Sequence, residues 1–313
     1  MPLRILVTGS SGFVGSAVSV ALARDGHTVR KASRLPDSAP GAAAMEWVML
    51  PDLQGEIDWT PIVAGVDVVV HLAAIAHRSD AVSEDYARAN RVATASLARA
   101  CQHQNIKRLI FMSSIGAQAG SAADHVVTEA DEPSPVTAYD RAKLAAEDEI
   151  RNSGVPFTIL RPVIVYGPGA KANIALMTKI AALPVPLPFG AFHNRRSLVS
   201  IDNLAQAVVF CVDNPATENQ TFIVADREPI TFAEMLAALR KAQERAPGLV
   251  PIPPSLVKAM IMVAGYPSLW DRIGRELVAS SAKLQGMGWA PAIDTRAGLS
   301  SMVRKLEGDQ RST

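Results

Sequence analysis

Tyr139 and Lys143 lie four residues apart in the run Ala138-Tyr-Asp-Arg-Ala-Lys-Leu-Ala-Ala-Glu147. On a helix that spacing puts both side chains on one face, so a phenol and an ammonium address the same small volume. A free tyrosine, with a pKa of about 10, shuttles protons poorly near neutrality. A neighbouring cation stabilises the phenolate and brings the group toward its working range. Of the four tyrosines in the chain, Tyr139 alone is followed by lysine at that distance. The pattern points to proton exchange with a substrate oxygen.

Such a pair needs an element that presents a reaction partner, and the N-terminus supplies one. Leu3-Arg-Ile-Leu-Val-Thr-Gly9-Ser-Ser-Gly12-Phe-Val-Gly15 reads as a strand, a tight turn and the start of a helix that Gly26 closes. Backbone N–H groups at such a turn and helix N-terminus can approach a pyrophosphate closely. The spacing is G-x-x-G-x-x-G, with Ser11, Phe13 and Val14 between the glycines as further expected dinucleotide contacts. The strand His27–Arg34 should end at the adenosine ribose, where an NAD site usually carries Asp or Glu. Here Ser33 and Arg34 stand there, with no carboxylate before Asp37. A guanidinium suits a 2′-phosphate, which favours NADP(H) over NAD(H). Asp52 and Leu53, after the apolar run Trp47–Leu50, are expected at the adenine. Val66–His71 reads as a buried strand running into Leu72, Ala73 and Ala74, where the cofactor could approach.

The 313 residues, 49% apolar with formal charge +1, suit one large core or two unequal lobes. Near-neutral charge gives no electrostatic case for nucleic acid. Two cysteines, Cys101 and Cys211, in apolar helix-like settings argue against a disulfide framework and fit a reducing cytosol. The N-terminal run reads as a strand and not as a signal peptide. No pair of histidines has helical ligand spacing, so no metal is expected. The apolar stretch Val250–Pro267 falls short of the ~20 residues a membrane span needs, and Lys258 interrupts it. It reads as a core or interface helix.

Strand and helix patterns alternate to about residue 165, over 3–8, 12–24, 28–33, 66–72, 85–103, 107–113, 137–152 and 157–162. Such alternation predicts an α/β fold, a doubly wound parallel sheet with helices on both faces. Prolines then become frequent and elements short. The expected division is a dinucleotide-binding unit over 1–167, a substrate lobe over 168–313, and a segment at 198–226 that crosses back onto the first unit.

With these pieces in order, the chain resembles the extended short-chain dehydrogenase/reductase family, the Rossmann-type branch acting on nucleotide sugars. The matching elements are Gly9/Gly12/Gly15, Asp52-Leu53, His71-Leu-Ala-Ala74, Asn90, Ser113-Ser114, Tyr139/Lys143, Arg161-Pro162 and Tyr166-Gly-Pro-Gly169. The resemblance implies a catalytic Ser114 holding the substrate oxygen, and a Ser113 turned toward the nicotinamide. It also implies cofactor contacts at Asn90 and Pro162, and a Lys143 that lowers the Tyr139 pKa and bonds the nicotinamide ribose. Arg196 and Asn173 fall where similar enzymes hold the nucleotide diphosphate or sugar, and Ala76 and His77 border the expected sugar site. Three activities share hydride exchange at C4 of a hexose. A 4,6-dehydratase is disfavoured, because Ile115-Gly-Ala117 replaces the Asp-Glu pair that follows the hydroxyl in related dehydratases. Arg34 tips the expectation to an NADPH-dependent 4-ketoreductase making a UDP-6-deoxy-N-acetylhexosamine for surface polysaccharide. An NAD-dependent nucleotide-sugar 4-epimerase is the alternative, and a non-catalytic NADP-sensing protein a more remote one. The family also implies a homodimer through the helices near 85–103 and 137–152.

Overall fold

The computed structural model describes residues 1–34, 45–75, 83–170 and 173–311, and within these not the side chains of 173, 268, 272 and 305–311. Seven parallel strands make the central sheet: β1 Arg4–Thr8, β2 Thr28–Ser33, β3 Met45–Met49, β4 Val68–His71, β5 Arg108–Met112, β6 Phe157–Pro162 and β7 Gln220–Val224. Their spatial order is β7-β6-β5-β4-β1-β2-β3. Both faces are covered, so the central strands read as unbroken apolar runs such as Val68–Val70 and Leu109–Phe111, each residue buried. The doubly wound parallel sheet expected from the alternating pattern is the fold observed. One strand went unread in the sequence. β3 follows β2 at the sheet edge, where Trp47 and Met49 remain exposed, and the Trp47 indole N–H donates to Ser33 Oγ at 2.9 Å.

Helices α1 Phe13–Arg24, α2 Ala93–His103, α3 Ala138–Arg151 and α4 Ile201–Asp213 flank the sheet. On one face Val18 and Leu22 of α1 meet Leu204 and Val208 of α4 over β1, β4 and β5. On the other, Leu97 of α2 and Ala146 and Ile150 of α3 cover Leu6, Val69, Leu109 and Ile159. The segment at 198–226 thus contributes both α4 and edge strand β7 to the sheet layer. A third core gathers Phe189, Phe192 and Phe232, ring centroids 5.2–5.9 Å apart, beneath α5 Phe232–Ala242, α6 Pro254–Val263, α7 Pro267–Ile273 and α8 Thr295–Arg311. The stretch expected as a core or interface helix is α6, and it is not core: only Val257 of its ten residues is buried.

The strand order reverses between β1 and β4, so the connections leaving their C-terminal ends run in opposite directions and open a crevice. A buried polar chain holds that reversal together. Thr8 Oγ1 accepts from the N–H groups of Leu72 and Ala73 at 3.2 Å each. Its own proton is therefore available to His71 Nδ1, 2.7 Å away. Thr94 Oγ1 donates to Asn90 O at 2.6 Å, which leaves it to accept from His71 Nε2–H at 3.1 Å. Every donor and acceptor is satisfied only if His71 is neutral and protonated at Nε2. Full burial agrees, pulling the His71 pKa down to about 3, with Lys143 adding to the shift. The unfolded chain takes up this proton near pH 6.5 and the folded chain does not, so acidification favours unfolding. Stability should be undiminished above pH 6.5 and should fall by about 2 kcal/mol from this residue alone on reaching pH 5. Urea titrations at pH 7.5 and 5 should show that decrement in the native chain and lack it in His71→Asn.

Candidate active site

The glycine turn closes against the end of β4. Gly9 has φ +70°, and a Cβ there would lie 2.8 Å from Ala73 N. A Cβ on Gly15 would collide with the Gly9 carbonyl, so the third glycine lets α1 pack directly on the turn. Gly12 caps α1 without a side-chain hydrogen bond, so the first N–H groups of α1 receive no side-chain oxygen from the cap. They and the helix dipole suit an anion. In front lies a cavity of about 410 Å³ lined by Gly9, Ser11 and Gly12, by Ser33 and Arg34 at the end of β2, by Leu50–Gln54, and by Leu72–Ile75. Phe13, at the start of α1, packs beside Gly167 and Gly169. A long cleft of these walls, with a backbone cradle that any Cβ would fill, fits a dinucleotide.

At the far end of the cavity Asn90 grips Ile75 from both sides: its amide NH2 donates to Ile75 O at 2.9 Å, and its Oδ1 accepts from Ile75 N–H at 2.8 Å. Asn90 belongs to a wide helical turn, Ala87–Val92, continuous with Ser83–Tyr86. Tyr86 from that segment packs edge-on against Tyr139, ring centroids 6.0 Å apart.

Tyr139 and Lys143 occupy the first two turns of α3, whose start is set by a reciprocal cap. Thr137 Oγ1 accepts the Asp140 N–H, while Asp140 Oδ2 accepts the Thr137 N–H. Asp140 also lies against Gly116, where any Cβ would overlap its carboxylate. Lys143 Nζ donates to Met112 O at 2.8 Å at the end of β5 and sits 4.6 Å from the Phe111 ring centre. The start of α3 is thereby pinned to the strand end carrying Ser113 and Ser114. Ser114 Oγ accepts the Gly116 N–H at 3.0 Å and caps the short helix Ile115–Ala119. That contact polarises the hydroxyl and leaves its proton to donate.

Two expectations change here. Lys143 does not hold Tyr139 low in this state: burial, with Asp140 and Tyr86 adding, pushes the phenol well above the usual tyrosine range. Burial likewise pulls Lys143 down to about 7, with Glu147 opposing. Lys143 is buried and Tyr139 half-buried, and burial favours the neutral form of each. Ser113 is not turned toward the cofactor cleft either; its hydroxyl donates to Glu147 Oε1 at 2.5 Å. Glu147 is fully buried and also accepts from Arg161 Nε at 2.9 Å and Nη2 at 2.6 Å, and from Arg151 Nη2 at 2.7 Å. Arg161 in turn donates to Gln118 Oε1. One carboxylate thus ties α3 to β5 and β6. Glu147→Gln should cost about 3–5 kcal/mol, because two guanidiniums lose their buried counter-charge; urea denaturation of the variant measures it.

The remaining expected residues are dispersed. Asp52 and Leu53 line the cleft beside Leu50, Pro51 and Gln54, which sequence reading missed because a loop contacts a ligand without periodic signal. Val14 lies within α1, and buried Pro162 closes β6. Arg196 is buried, and rather than reaching into open space it donates to the backbone oxygens of Arg275 and Asp271 at 3.1 and 3.3 Å. Asn173 begins the helix Asn173–Ala181, its side chain outside the described residues, as are Ala76 and His77. Among the described residues one group brings possible metal ligands within 4.8 Å: Asp25, His27 and Asp213. His27 Nδ1 accepts the Leu3 N–H at 3.2 Å, so a neutral ring carries its proton on Nε2, facing both carboxylates at 3.3–3.4 Å. That polarity suits a clasp between the ends of α1 and α4, since a ligating nitrogen must offer its lone pair.

Known proteins share this sequence pattern and this fold. The model of the NAD dependent epimerase/dehydratase family matches residues 5–225. A UDP-glucose 4-epimerase of Vibrio cholerae is 33% identical over 303 residues, covering 93% of this chain and 92% of that one. Among solved structures, UDP-glucuronic acid 4-epimerase from Bacillus cereus in complex with NAD superposes with a TM-score of 0.76 at 19% identity, over 98% of this chain and 99% of that one. UDP-N-acetylglucosamine 4-epimerase from Bacillus cereus does so with 0.78 at 20% identity, over 98% and 100%. The glycine cradle at a strand-order reversal, and a tyrosine–lysine helix pinned beside a strand-end serine, belong to an NAD(P)-dependent enzyme of the NAD-dependent epimerase/dehydratase family.

Proposed function

We propose that the protein interconverts C4 epimers of a UDP-linked hexose with NAD as its dinucleotide. The observation behind this reading is α3, whose Lys143 donates to Met112 O at the end of β5, two residues before Ser114, with Tyr139 one turn earlier on the same helix. It does so in a chain that aligns with nearly the whole of a UDP-glucose 4-epimerase. Gly9, Gly12 and Gly15 with the N-terminus of α1 would hold the pyrophosphate, and Leu50–Leu53 the adenine end. Bound there, a nicotinamide supplies reversible hydride transfer at C4 of the sugar. Tyr139 takes the O4 proton as the alcohol becomes a ketone and returns it when the alcohol reforms. Ser114 donates to the same oxygen where charge accumulates. Lys143, when protonated, favours the phenolate on Tyr139.

Arg34 carries a second reading. It lines the cleft at the end of β2 together with Ser33, at the position where an NAD site usually has an acid. A guanidinium there favours a 2′-phosphate, and with it an NADPH-dependent reduction of a UDP-4-keto-6-deoxy-N-acetylhexosamine.

Incubation with UDP-galactose or UDP-N-acetylgalactosamine and catalytic NAD, followed by proton NMR, separates the two. The expected result is conversion to the gluco epimer with no net change in reduced nicotinamide. Stoichiometric oxidation of NADPH by the 4-keto sugar, without epimer exchange, would establish the reductase. Tyr139→Phe should lower kcat by about 10²–10⁴-fold with NAD affinity retained. Arg34→Ala should weaken NADP(H) far more than NAD(H) if the second reading holds, and equally if the first does, as isothermal titration would show.

A further inference from the structure

The geometry points to α6 as a membrane-docking element: we propose that the α6–α7 hairpin seats this protein on an anionic lipid surface.

Helix α6 spends almost none of its apolar content on the core. Val257 is buried and Ile261, one turn on, is partly buried; together they form the seat of the helix on the third core. Leu256, Met260 and Val263, at i, i+4 and i+7, make a separate stripe that faces out, and Val263 is 90% exposed. Met262 and Tyr266 widen it, Tyr266 being 63% exposed just past the helix end. Single exposed apolar residues are ordinary, but a contiguous stripe along a whole helix marks an interaction site.

The charge around the stripe selects the occupant. Residues 245–270 contain no aspartate or glutamate, while Arg245 and Lys258 are present and exposed, and Lys241 lies just before. Lys258 Nζ stands 5.5 Å from the Trp270 ring centre. An apolar stripe with Lys258, Arg245 and Trp270 at its borders, and with the carboxylate of Asp271 beyond it already paired to Arg275, matches the interface of an acidic bilayer. A second copy of the chain is the poorer fit. Ten residues of helix extend about 15 Å, too little for the roughly 800 Å² per partner of a stable protein interface. Nor can the segment cross a bilayer: no helix among the described residues is long and apolar enough. It would lie in the headgroup plane. The hairpin is joined to the substrate lobe through Arg196, which holds the α7 end by the carbonyls of Asp271 and Arg275.

The test is sedimentation of the full-length protein with sucrose-loaded vesicles, phosphatidylcholine alone or with one-third phosphatidylglycerol. Binding to the anionic vesicles is expected, at least tenfold stronger than to the neutral ones and weakened by 0.5 M NaCl. Met260→Glu/Val263→Glu should reduce it at least tenfold, with thermal midpoint and NAD binding unchanged as the check on folding. Absence of binding at millimolar anionic lipid would overturn the proposal, as would binding unaffected by the double variant. Sedimentation velocity covers the rival occupant: a dimer in the native chain that the double variant converts to monomer would also overturn it.

Discussion

Glu147 is the charge on which the site's architecture rests. It has no contact with water, yet it sits on the helix that carries Tyr139 and Lys143 and receives hydrogen bonds from β5, from β6 and from its own helix. A carboxylate in that position is tolerated only because Arg161 meets it through two nitrogens and Arg151 through a third. The arrangement is rigid for the same reason, since sliding α3 by one residue would strand the charge. Lys143 depends on that rigidity. Its ammonium is far from water, and the neighbouring Glu147 opposes the downward pull of burial.

A second, uncharged network governs the cofactor side. Thr8, His71, Thr94 and Asn90 run from β1 to Ile75 in one consistent donor order, bridging the strand-order reversal where the cleft opens. The cleft walls are loops, but their ends are fixed by buried polar groups with no spare capacity. This allows a backbone cradle at Gly9 and Gly15 to hold its shape before anything binds. The two networks meet where Tyr86 packs against Tyr139 and where Lys143 adds to the His71 shift.

The phenol and ammonium shift for a shared reason: burial favours the neutral form of each. In the reaction proposed above, burial that is unfavourable to each ion alone would limit competition by water as a substrate oxygen exchanges a proton with the pair. Ser114 suits the same setting, its oxygen already committed to the Gly116 N–H and its proton directed outward.

Much of this was legible in the chain itself. The period of the apolar runs determined the parallel sheet, because strands buried on both faces cannot alternate. The glycine spacing determined the cradle, because no side chain fits at Gly15. The Tyr139/Lys143 spacing determined a shared helical face. Other features needed the tertiary structure. Ser113 belongs to Glu147 rather than to the cleft, Arg196 holds α7 by its carbonyls, and β3 fills the sheet edge, all through contacts between residues far apart in sequence. The state of the Tyr139/Lys143 pair was also beyond the sequence, since desolvation depends on what packs around a group. The same holds for α6, whose apolar sequence suits a core as well as a surface until its neighbours are known to cover Val257 and only part of Ile261.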